Sequence, residues 1–159
     1  MIEIYGLLFS CIIGTLGHFL YELTNKNKII GFLFSQNEST WEHIKLGITP
    51  ITIWGIIELI ILNKSNIIIN TTIKIITFTL SIIILYYGYK KILKKNILFL
   101  DILTFYISLS IAYLIGINNF NYNYNWYLYI FVIIFILALI YAYKNYSKNP
   151  PNSFLFKTE

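Results

Sequence analysis

Residues 67–89 read IIINTTIKIITFTLSIIILYYGY. This run exceeds the ~20 residues that an α-helix needs to cross the hydrocarbon core of a bilayer, and its one charge is Lys74. Four further runs of the same kind surround it. They are Ile4 to Leu23, Ile44 to Leu62 (with a start as early as Thr40), Ile97 to Ile117 and Trp126 to Tyr143. The pattern predicts an all-α fold, a polytopic transmembrane bundle of five spans. Ile29 to Phe34 is apolar but far too short to cross, and is expected to be an interfacial or re-entrant piece. Residues 1–144 then form a single transmembrane domain. Residues 145–159, with Pro150-Pro151, are expected to be a cytoplasmic tail without fixed structure.

Composition agrees with this reading. Charged residues make up 12% of the chain, about half of the ~25% that a soluble domain carries to face water. The mean hydropathy is +0.68. The net charge of +5 does not point to nucleic acid, because all the basic residues are lysine and the bidentate guanidinium fork is missing. The single cysteine, Cys11, excludes an internal disulfide. No basic residue precedes Ile4 and no small-residue cleavage site follows the first run. That run is therefore expected to be a helix of the mature protein, not a signal peptide.

Lysine placement orients the bundle through the positive-inside rule. Lys26, Lys28 and Lys45 lie between runs one and two; Lys90, Lys91, Lys94 and Lys95 lie between runs three and four; Lys144, Lys148 and Lys157 follow run five. The opposite side has only Lys64. The expected topology is N-terminus out and C-terminus in, multi-pass in a bacterial cytoplasmic membrane. The Asn/Tyr-rich stretch 118–125 beside Trp126 reads as an aromatic belt at the outer boundary, with sugar docking as the alternative.

Polar residues inside the spans are costly, so their positions are informative. Ser10, Gly14, His18 and Glu22 follow one another at i, i+4 and are expected to share an inward face of the first span. Glu58 and Lys74 lie at about 7 and 10 Å from the same side of the membrane, at 1.5 Å rise per residue, and are expected to pair. Asp101 begins a stripe with Thr104, Ser108 and Ala112, and lies near the lysines of the cytoplasmic edge. The fifth span offers only Ala138 and Ala142 and is expected to face lipid.

The least membrane-like stretch is Ser35-Gln36-Asn37-Glu38-Ser39-Thr40-Trp41-Glu42-His43. Ser39 and Glu42 fit a capping box at the start of the second span, and Trp41 fits an interfacial anchor. Pro50 is expected to kink the helix. Both histidines of the chain, His18 and His43, fall at this one interface, together with Glu22, Glu38 and Glu42. Two imidazoles and one carboxylate make a zinc-type ligand set with a fourth position for water. The expected ligands are His18, Glu22 and His43, with Glu42 or Glu38 as general base. A purely structural hydrogen-bond network, and direct ligand binding without metal, remain alternatives at this point.

The motif Gly17-His18-Phe19-x-Tyr21-Glu22, followed by Asn37-Glu38-Ser39-x-Trp41-Glu42-His43-x-Lys45 and Pro50, resembles an uncharacterised family of small multi-spanning membrane proteins from Firmicutes, a domain of unknown function. The resemblance implies a multi-spanning fold and no particular activity. The histidine count and spacings do not match rhomboids, CAAX-type proteases or ceramidase-like hydrolases. Three function classes follow. One is a metal-dependent membrane hydrolase. Another is a small-solute or ion carrier built on Glu58 and Lys74. The third is an accessory subunit packing against a like or unlike partner.

Overall fold

The computed structural model describes residues 2–119, 123–146 and 149–156. Its helices are α1 (Ile2–Leu23), α2 (Lys28–Leu33), α3 (Thr40–Leu62), α4 (Asn66–Leu93), α5 (Leu98–Asn119) and α6 (Trp126–Asn145), followed by a 3-10 turn at Phe154–Phe156. No strand occurs among the described residues. All but α2 are long and apolar enough to cross a membrane. Residues 120–122 of the Asn/Tyr stretch, and Lys148 and Lys157 of the lysine tally, lie outside the described residues.

Helix α3 is the axis of the bundle. Ile44, Ile48 and Ile51 are buried together with Ile75, Phe78 and Ile82 of α4 and Leu109 and Ala112 of α5. Glycines set the helix spacing: a Cβ on Gly47 would fall 2.1 Å from Phe78, and one on Gly55 2.3 Å from Thr71. Pro50 has no N–H, so the Leu46 carbonyl loses its helical donor. Gly14 of α1 packs against that carbonyl, so closely that a Cβ there would lie 2.8 Å from the Leu46 oxygen. Helix α6 is the expected lipid-facing helix; only Val132 and Tyr143 are buried on it.

Helix α2 is short because Asn27 caps its start, accepting from Ile29 N at 2.9 Å, and its last carbonyls are taken by α3 and by the connecting segment. Gly31 O accepts from Lys45 Nζ at 2.9 Å and from Gln36 Nε2 at 2.6 Å, and Thr49 Oγ1 donates to Leu33 O. Irregular backbone at membrane depth requires that kind of internal satisfaction.

Three expectations for this end of the bundle are corrected. Trp41 is not an interfacial anchor: it is buried, with its ring against Tyr143, Tyr146 and Phe156. The tail is not structureless over its described part, because Phe154 and Phe156 bring it back into ring contact with Tyr87 and Trp41. The capping box is half formed. Ser39 Oγ accepts from Glu42 N, but the Glu42 carboxylate pairs with Lys45 at 2.8 Å and accepts from Gln36 N at 2.8 Å. Asn37 Oδ1 takes the Ser39 N–H instead.

Candidate metal centre

The antiparallel course of α1 and α3 brings His18, near the end of the first, level with His43, in the first turn of the second. The imidazoles stack with centroids 5.5 Å apart. Glu38, in the segment that leads into α3, reaches both: Oε1 lies 3.7 Å from His18 Nε2 and Oε2 3.4 Å from His43 Nε2. One ligand atom from each residue lies within 4.8 Å of the others. Ligands at ~2.1 Å in a tetrahedral zinc site are about 3.4 Å apart, so coordination would draw these atoms together by up to about 1.4 Å.

The expected set named Glu22 where the geometry places Glu38. Steps of four residues rotate about 40° each around a helix, so Glu22 lies about 120° from Ser10 and leaves the inward face. The inward stripe of α1 is Glu3, Gly6, Ser10, Gly14 and Gly17, and Glu22 is exposed. Glu42 is also separate from the cluster, buried and held by Lys45.

The three residues stand at one end of a cavity of about 700 Å³ between α1, α3, α4 and α5. Asp101 lines the same cavity and accepts a hydrogen bond from the Tyr89 hydroxyl. Its polar stripe on α5 was the sequence signal for it. Apolar side chains, among them Leu46, Ile82 and Phe105, make most of the remaining wall. The result is an amphipathic chamber with carboxylates and imidazoles at the lysine-rich end of the bundle.

Glu58 and Lys74 lie at the opposite end. Lys74 Nζ donates to Glu58 Oε2 at 3.0 Å, and also to Glu3 Oε2 at 2.9 Å. Glu3, at the very start of α1, was not foreseen. Its other oxygen accepts from Asn70 Nδ2, and Glu58 Oε1 accepts from Trp54 Nε1. The Tyr113 ring covers the ammonium with its centroid 5.0 Å away. All three charged groups are buried. Some fifteen helical residues, about 22 Å, separate Glu3 from His18 along α1.

A family model described as a family of unknown function (DUF6512) matches residues 2–159. No curated protein and no solved structure matches the chain.

Proposed function

The chain belongs to the DUF6512 family of unknown function, and from the geometry of its polar cluster we propose that it is a membrane-embedded, metal-dependent hydrolase. The observation that carries this reading is the convergence of His18, Glu38 and His43 in the wall of an amphipathic chamber. The donor set suits zinc: two imidazoles and a carboxylate would hold the ion and leave it a coordination position for water. Zinc would supply a nucleophilic hydroxide near neutral pH and polarise a substrate carbonyl. Glu38 holds the two imidazoles to a common point. Asp101, which lines the same chamber and is outside the ligand set, is the group we assign as general base and then acid, taking the proton from the attacking water and returning it to the leaving group.

The competing carrier reading rests on Glu58 and Lys74. Each carboxylate oxygen of Glu3 and Glu58 already accepts from a protein donor, and none of these side chains lines the chamber. That network suits a clamp joining α1, α3 and α4 better than a site that must release a solute.

The proposal is tested by turnover of a chromogenic medium-chain acyl ester by purified protein. Chelation should abolish the turnover and added zinc should restore it. Turnover that is indifferent to chelation, or no turnover with stoichiometric zinc bound, would remove the hydrolase reading.

A further inference from the structure

We propose that the chamber is an acyl-chain site entered sideways from the bilayer, through a gap between α1 and α5. Its headgroup end rests on the metal reading; its chain end does not. Several wall residues belong at once to the chamber and to the outer surface of the bundle. Phe19 of α1 is 56% exposed, Ile102 of α5 49% and Leu98 75%. On helices long and apolar enough to cross a membrane, the medium bordering such a gap is lipid hydrocarbon. A soluble polar substrate would have to shed its water to cross this wall, whereas an acyl chain exchanges one hydrocarbon environment for another.

The gap has a polar strap. Thr15 Oγ1 donates to Cys11 O within α1, which leaves the Tyr106 hydroxyl of α5 to donate to Thr15 Oγ1 at 2.8 Å. This bond lies at the exposed edge of the gap, whereas the other α1–α5 hydrogen bond, between Ser10 and Tyr113, is buried further along the same pair of helices. Inside, the wall grades from Phe105, Ile82 and Leu46 to His18, Glu38, His43 and Asp101. A chain lying along the apolar part delivers its carbonyl head to the proposed metal. The volume of about 700 Å³ falls within the roughly 300–1,000 Å³ of small-molecule sites. The ligand class is therefore a single-chain amphiphile with a carboxyl or carboxyl-ester head.

The test is photolabelling of the protein in lipid nanodiscs with a diazirine-bearing palmitate, followed by peptide mapping. Labels are expected on α1 near Thr15–Phe19 and on α5 near Leu98–Tyr106, competed by unlabelled palmitate. Ile102→Trp should reduce this labelling about tenfold, equivalent to ~1.4 kcal/mol. Ile133→Trp, on the lipid-facing side of α6, should leave it unchanged. His18→Ala/His43→Ala should retain chain labelling, so that a failed metal reading and a failed lipid site give different results. Labels spread evenly over α6, or a wall signal insensitive to both competitor and Ile102→Trp, would overturn the proposal.

Discussion

The imidazoles of His18 and His43 lie face to face, with ring planes 16° from parallel and both Nε2 atoms near the Glu38 carboxylate. One acid thus faces two adjacent imidazoles from two different helices.

Glu38 should therefore matter more than Glu22, although Glu22 lies on the same helix as His18. Glu38→Gln is expected to weaken zinc binding by at least 10–100-fold, the range already seen for loss of supporting partners of a metal ligand. Glu22→Gln should leave the affinity unchanged. Competition with a chromogenic chelator measures both. Equal effects of the two substitutions would return Glu22 to the ligand set.

Asp101 is assigned to proton transfer and not to the metal. Asp101→Asn should lower acyl-ester turnover by roughly 10²–10⁴-fold, the usual contribution of a positioned acid or base. Bound zinc should remain at the wild-type level. Loss of metal along with activity would make Asp101 a ligand.

The buried triad at the other end predicts a stability effect. Lys74→Met strands Glu3 and Glu58 without their shared cation, and removing one partner of a buried pair costs about 3–5 kcal/mol. Glu3→Gln/Glu58→Gln/Lys74→Met, which removes every charge at once, should recover most of that loss. Thermal unfolding in detergent reads both. A carrier predicts the reverse: solute flux lost in Lys74→Met with thermal stability retained.

Lys45 neutralises Glu42 and donates to the Gly31 carbonyl that ends α2. Lys45→Met should loosen the 28–34 segment, visible as faster amide hydrogen exchange there, while exchange in α4 and α5 is unaltered. Unchanged exchange across α2 would mean that Gln36 and Thr49 suffice to hold it.

The spans were legible in the sequence because hydrocarbon thickness imposes a length and a composition that no short-range preference overrides. The meeting of His18 and His43 at one end of the bundle was legible too, since alternating spans return to the same side. The identity of the bridging acid was not. Glu38 belongs to an irregular segment whose path has no periodicity to read, and Glu22 was favoured by an i, i+4 series that drifts off the inward face. Glu3 escaped notice because an acid at the edge of an apolar run looks like a boundary; only Asn70 and Lys74, brought alongside by α4, give it a role. Trp41 resembled a membrane anchor by composition, and the covering tail that buries it comes from the far end of the chain.

The most direct measurement is elemental analysis of detergent-purified protein beside a His18→Ala/His43→Ala variant of equal monodispersity. Close to one equivalent of zinc in the wild type and none in the variant is the predicted result. Metal-free wild-type protein that also fails to take up added zinc would contradict it and leave His18, Glu38 and His43 as a structural contact between α1 and α3.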